Sequence, residues 1–173
     1  MPAATSARKK SPRPASEAMD EPTARVLRRF RLVFNTVKTH FRAVEKKAGV
    51  AGAQVWALSV VAAQPGIGVG ALAKAMDVHQ STASNLIKPM LESGLLLGER
   101  SGTDRRAVQL TITTQGTRVL RRAPVPFAGV LPDALAKLDA ATLARLDRDL
   151  GKLIEALGVQ PRGANVPLHG PED

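Results

Sequence analysis

The chain has 173 residues, of which 44% are hydrophobic, and it carries a formal net charge of +10 with no cysteine. The apolar content is enough for one packed globular domain, and the lack of cysteine excludes disulfides, thiolate metal sites and a cysteine redox switch. The three histidines show no paired carboxylate spacing, so we expect neither a metal site nor a cofactor.

The positive charge is concentrated in one part of the chain. Residues 25–122 hold 16 Lys and Arg against 5 Asp and Glu, whereas residues 133–157 hold 4 against 5. The first segment is therefore the candidate surface for a polyanion, either nucleic acid or anionic lipid. The uncharged stretch 48–73 contains Pro65 and five glycines and does not predict a membrane span. No secretory signal is visible near the start, so we expect a cytoplasmic protein.

Periodicity gives the order of the predicted elements. Residues 1–22 are typical of a disordered basic arm, and an apolar stripe from Val26 to Ala48 predicts a long first helix that ends at Gly49. Three more helices, a β-hairpin and a fifth helix follow in that order, and two amphipathic helices and a flexible tail end the chain. The second to fourth helices are predicted at about 53–63, 69–76 and 80–92, and the hairpin strands at 95–100 and 106–112. The fifth helix contains 117–122, with Thr113 or Thr114 as its cap. The last two helices are predicted at 135–138 and 143–157, and the tail at 158–173.

The third and fourth helices are joined by only three residues, 77–79, which predicts a helix-turn-helix with the hairpin as its wing. The fold class is then mainly α with a small β-hairpin wing. The fourth helix has one apolar face, and on another side Ser81, Ser84, Asn85 and Lys88 recur at i, i+3, i+4 and i+7. Hydroxyls, an amide and an ammonium without an acidic group suit the DNA major groove, where Asn pairs with adenine. The alternative is an ordinary solvated helix face.

Charged residues concentrate at the tip of the hairpin, around Asp104, Arg105 and Arg106. A tip beside a helix in the major groove would lie over the adjacent minor groove, whose negative potential attracts arginine. We expect Asp104 to hold an arginine through a charge-assisted hydrogen bond rather than to contact DNA. The alternative is a solvated turn with a surface ion pair worth ~0–1 kcal/mol.

The segments ALAKAMDV, STASNLIKPMLESGLL and DRRAVQLTITTQG resemble the winged helix-turn-helix of MarR-family transcriptional regulators. The resemblance covers roughly residues 25–157 and implies a homodimer on a palindromic operator in double-stranded DNA, with half-sites about one helical turn (~10 bp) apart. It implies one domain over 23–157, with a DNA-binding lobe at about 52–116 and dimerisation helices at about 23–48 and 117–157.

The resemblance also implies roles for individual residues. It makes Arg106 the candidate minor-groove arginine, and it implies a small aromatic or anionic effector, with His40, Arg42 and Trp56 as candidate contacts. Pro89 departs from the family pattern and predicts a kink or an early end of the fourth helix. The candidate residues of the DNA-binding site are Gln80, Ser81, Thr82, Ser84, Asn85, Lys88, Arg100, Asp104, Arg105 and Arg106, of which Asp104 is the one expected to hold an arginine.

The function predicted from these features is that of a ligand-responsive repressor, not an enzyme. A DNA-architectural protein would share the same motif but would show no effector response and little sequence preference. An enzyme is the other alternative, because GIGVGA at 66–71 resembles a dinucleotide-binding turn. The segment before that turn is Ala-rich and helical, however, and no β-α alternation follows it.

Overall fold

The computed structural model describes residues 21–100 and 108–158. Within these residues it has seven helices and three short strands, which agrees with the predicted mainly helical class with a β-hairpin wing. The chain divides into two compact units, the first ending at Asn35 and the second beginning at Thr36. The elements are α1 (Pro22–Ala48), α2 (Gly52–Ala63), β1 (Ile67–Gly68), α3 (Val69–Ala75), α4 (Gln80–Glu92), β2 (Leu96–Arg100), β3 (Val108–Ile112), α5 (Thr114–Arg122), α6 (Val130–Leu135) and α7 (Ala140–Leu157).

The three strands form one antiparallel sheet in the order β1-β3-β2. The hairpin pairs Leu96 with Ile112 at its base and Arg100 with Val108 at its outer end. Strand β1 was not predicted from the sequence, and it pairs antiparallel with β3 through Ile67 and Leu110. A dinucleotide-binding turn requires parallel strands around its helix, so this pairing also argues against the alternative of such a turn in this segment.

The main hydrophobic core lies between α2, α3, α4 and the sheet. Leu58, Leu72, Met90 and Leu110 are each 0% exposed there. Helix α2 is rich in Ala and Val on most of its sides, which is typical of a helix surrounded by other elements. A second cluster joins the end of α1 to α2 and α5. It contains Val44, Ala48 and Val55, with Val119, Leu120 and Phe127 among the side chains packed against it.

The segment between α5 and α7 differs from the prediction. The sixth helix occupies Val130–Leu135 rather than 135–138. Pro132 is accommodated because the N–H groups of the first helical turn have no partner within the helix. Asp139 then begins α7 as its N-cap, since its carboxylate accepts a hydrogen bond from the Thr142 N–H at 2.9 Å.

Candidate nucleic-acid interface

A tight turn between α3 and α4 sets the direction of the fourth helix. Asp77 takes a left-handed conformation with φ +52°, which Asp tolerates better than most residues. Val78 is buried, and its N–H donates to the Ala73 carbonyl at 2.9 Å. His79, in an extended conformation, precedes the first residue of α4. The turn therefore ends α3 and starts α4, as a helix-turn-helix requires.

Helix α4 has one face in the core and the other in solvent. Ala83, Leu86, Ile87 and Met90 are at most 4% exposed, which anchors the helix to the rest of the lobe. The structure brings the predicted polar residues together on the opposite side, and all but one are exposed; Thr82 is half-buried. The exposed residues are Gln80, Ser81, Ser84, Asn85 and Lys88. We call these five residues the polar stripe.

The polar stripe offers different hydrogen-bonding groups along its length. The Ser84 hydroxyl donates to the Gln80 carbonyl at 2.8 Å, so its oxygen can still accept a hydrogen bond. Within the described residues, the Asn85 amide and the Lys88 ammonium have no side-chain hydrogen bond or ion pair. An amide both donates and accepts, and an ammonium only donates. These groups are therefore available to base edges or phosphates.

Pro89 does not end α4, so of the two predicted outcomes, a kink or an early end, the early end is excluded. The helix continues to Glu92, and the Ser93 N–H still donates to the Pro89 carbonyl at 3.0 Å. The Pro89 ring lies on the exposed side, while Met90 beside it is fully buried. Burial of the apolar face on both sides of the proline offsets the one backbone hydrogen bond that it removes.

The base of the wing packs directly on α4. A Cβ on Gly98 would lie 3.0 Å from Val108 Cγ1 and 3.4 Å from Leu91 Cδ2, so β2 and α4 are in close contact at this position. The predicted contacts Asp104, Arg105 and Arg106 lie outside the described residues, as does the side chain of Arg100. The structure thus fixes where the hairpin starts relative to the polar stripe.

One junction joins α4, the wing and α5, and only its helix cap was predicted from the sequence. Thr113 caps α5 by accepting from the Gly116 N–H at 3.0 Å, and its hydroxyl also donates to the Gly94 carbonyl at 2.7 Å. Thr113 and Thr114 were the two predicted caps, and the cap is Thr113. The bond to Gly94 was not predicted, because its partner is 19 residues away in the chain.

The three candidate effector contacts, His40, Arg42 and Trp56, do not lie on one face as the polar stripe does. The His40 ring meets the edge of the buried Phe41 ring, with centroids 5.7 Å apart, and Trp56 is half-buried against the main core. Arg42 is exposed. His40 and Arg42 are two positions apart on α1 and leave the helix roughly 200° apart, so they do not share one face.

The described residues contain no group of three or more His, Asp or Glu side chains placed to hold a metal ion. In the same residues, no helix combines the length and the hydropathy needed to cross a membrane.

Comparison with known proteins identifies the family. The model of the MarR family matches residues 48–107, which include the helix-turn-helix and most of the hairpin. A protein of Thauera aromatica named as a candidate transcriptional regulator of the hcr operon is 33% identical over 117 residues. The match covers 67% of this chain and 66% of the relative, so the chain spans about two thirds of the relative's length. The chain belongs to the MarR family.

Solved structures of this family share the fold of the chain at low sequence identity. The DNA complex of S. aureus MepR has a TM-score of 0.52 at 17% identity and covers 80% of this chain and 99% of its own. A MepR-like protein with pseudoligands gives 0.54 at 18% identity, covering 79% and 96%. PcaV of Streptomyces coelicolor with its natural ligand gives 0.50 at 22%, covering 80% and 94%. At these identities the likeness shows a winged-helix fold.

Proposed function

We propose that this MarR-family protein is a homodimeric transcriptional regulator that represses from a palindromic operator and releases it when a small aromatic or anionic effector binds. The observation that carries the proposal is the polar stripe of α4, which is exposed, free of acidic groups and held rigidly by a buried opposite face. Because the base of the hairpin packs on α4, the wing would make a second DNA contact beside the polar stripe, with Arg106 in the minor groove.

The homodimer is supported by apolar side chains that the single chain leaves in solvent. On α7, Leu143, Leu146, Leu150, Leu153 and Leu157 alternate at three- and four-residue steps, which is the spacing of a coiled-coil seam. These leucines are between 36% and 66% exposed. In the first unit, Leu32 and Phe34 of α1 are 68% and 59% exposed. Apolar faces of this extent mark protein interfaces, and a second copy of the chain would cover them.

The effector is supported by solved relatives of the same fold. The structure of PcaV holds its natural ligand and the structure of the MepR-like protein holds pseudoligands. An effector that binds more tightly to a form of the dimer unable to hold DNA would lower DNA affinity by population shift. His40, Arg42 and Trp56 are the proposed effector contacts, but His40 and Arg42 lie on different faces of α1, so one small molecule would contact one of these two from a given copy of the chain.

Selection of bound duplexes from a random DNA pool tests the proposal. We expect a palindrome whose half-sites are about one helical turn (~10 bp) apart. Enrichment of no sequence would favour an architectural protein, and no binding at all would contradict a DNA-binding function. With the selected duplex, Arg106→Ala should cost roughly 1–3 kcal/mol of binding in a mobility-shift titration. Unchanged affinity would show that the wing does not contact the operator through this residue.

A further inference from the structure

The turn at the C-terminal end of α4 directs two backbone carbonyls, those of Gly94 and Leu95, toward Thr113. Gly94 has φ +69°, the Leu95 N–H donates to the Met90 carbonyl at 2.9 Å, and the Gly94 N–H donates to the Leu91 carbonyl at 3.1 Å. This pattern is the Schellman motif, which ends a helix rigidly. The positions of the Gly94 and Leu95 carbonyls are therefore fixed relative to α4.

Both of these carbonyls accept hydrogen bonds from one residue at the end of β3. The Thr113 hydroxyl lies 2.7 Å from the Gly94 oxygen and 3.2 Å from the Leu95 oxygen, and the Thr113 N–H donates to the Leu95 carbonyl at 3.2 Å. The same hydroxyl accepts from the Gly116 N–H at 3.0 Å in the first turn of α5. One hydroxyl thus donates to the end of α4 and accepts from the start of α5.

Close backbone packing accompanies these hydrogen bonds. A Cβ on Gly116 would lie 2.3 Å from the Leu95 carbonyl oxygen and 2.8 Å from Ile112 Cγ1, so only glycine fits there without movement of the backbone. The start of α5 consequently lies in direct contact with the end of α4, with no side chain of residue 116 between them.

We propose that Thr113 is a positioning residue for operator recognition: by joining α4 to α5 and to the base of the wing, its hydroxyl fixes the polar stripe and the wing in the relative orientation that operator DNA requires. The proposal rests on the proposed function. Base contacts in two grooves must form at the same time, and they fail when the supporting geometry shifts by about 1 Å. Contacts to phosphates on random DNA do not depend on this alignment.

Three variants of Thr113 separate the bridge to α4 from the cap of α5. Thr113→Ser keeps both roles, Thr113→Val removes both, and Thr113→Asp keeps an acceptor for the Gly116 N–H but has no proton to donate to the Gly94 carbonyl. The matched control is Thr117→Val, because the Thr117 hydroxyl donates at 2.9 Å to the Thr113 carbonyl within α5 and does not bridge to α4.

The test measures the dissociation constants of each full-length variant for the selected operator and for a scrambled duplex of the same length, at one salt concentration. For Thr113→Val and Thr113→Asp we expect the ratio of scrambled to operator constants to fall about tenfold, which corresponds to about 1.4 kcal/mol. For Thr113→Ser and Thr117→Val we expect the ratio to stay within about threefold of the wild-type value.

Two results would overturn the proposal while leaving the proposed function intact. If Thr113→Val weakens binding to both duplexes by the same factor, the hydroxyl only maintains the folded fraction. If Thr113→Asp retains the wild-type ratio, the cap of α5 is sufficient and the bridge to α4 is not needed. A wild-type chain without preference for any duplex would instead contradict the proposed function, and this inference with it.

Discussion

Helices α4 and α7 are both amphipathic, yet only one of them has its apolar face buried within the chain. Met90 and Ile87 of α4 are 0% and 2% exposed, whereas Leu146 and Leu150 of α7 are 37% and 41% exposed. Amphipathic spacing predicts that an apolar face will be covered but not what covers it. For α4 the cover is the core of its own lobe. For α7 the proposed cover is a second copy of the chain. Of the following four predictions, the first two test what covers each apolar face, and the last two test the exposed face of α4 and the cap of α7.

The largest effect is expected when a charge is placed in the α7 seam. Leu150→Asp would place an unpaired carboxylate from each copy in the seam, and removing such an ion from water costs several kcal/mol. Two carboxylates per dimer should therefore raise the dimer dissociation constant by at least about 10³-fold. Sedimentation velocity over a concentration series measures the shift. Ala144→Asp adds the same charge off the seam and should leave the dimer intact. A Leu150→Asp chain that dimerises like the wild type would contradict the assignment of this interface.

The next largest effect is expected in the core beneath α4. Met90→Ala should lower the free energy of unfolding by about 2–5 kcal/mol, since the fully buried side chain leaves a cavity. Urea unfolding measures this loss. Lys88→Ala, on the exposed side of the same helix, should change the free energy of unfolding by less than about 0.5 kcal/mol. Equal losses in the two variants would mean that α4 is not anchored as described.

A smaller effect is expected for the polar stripe. Asn85→Ala should cost about 1–3 kcal/mol of discrimination at one base pair of each half-site, since an amide pairs bidentately with adenine. Competition titrations with singly substituted operators measure this loss. The salt dependence of binding should change little, because that slope reports phosphate contacts. A changed slope with intact base preference would make Asn85 a phosphate contact instead.

The smallest effect concerns the cap of α7. The Thr142 hydroxyl, and after it the Thr142 N–H, hold the pKa of Asp139 below its ordinary value of 3.8. A lowered folded-state pKa means that the cap stabilises the helix above pH 3.8 and that this stabilisation is lost as the pH falls through the lower value. Thermal melts of wild type and Asp139→Ala should therefore differ at pH 7, and the difference should shrink as the pH is lowered below 3.8. A difference that stays constant until the protein unfolds in acid would contradict the ionised carboxylate as its source.

Local signals predicted much of the fold. Pro22 and Gly49 bracket α1, and α4 occupies the predicted range, because capping and periodicity are properties of neighbouring residues. Strand β1 has only two residues and is defined by its pairing with β3, so no periodicity could reveal it. Continuation of α4 through Pro89 likewise depends on burial against other elements, which overrides local preference.

The candidate site was predictable in part for the same reason. The polar stripe follows from the spacing of one helix, and the structure places its residues on one exposed face. The bridge from Thr113 to the carbonyls of Gly94 and Leu95 spans the whole hairpin, and it required the three-dimensional packing to be known. Residues that act within one turn were therefore found from the sequence, and residues that join distant elements were not.

Photo-crosslinking of the intact chain on the selected operator tests the central claim most directly. A photoreactive side chain is introduced at Ser84 on the polar stripe in one sample and at Leu146 on the α7 seam in another, and the captured partner is identified by mass. We expect the Ser84 position to capture DNA and the Leu146 position to capture a second copy of the chain. Capture of protein from the Ser84 position, or of DNA from the Leu146 position, would contradict that claim.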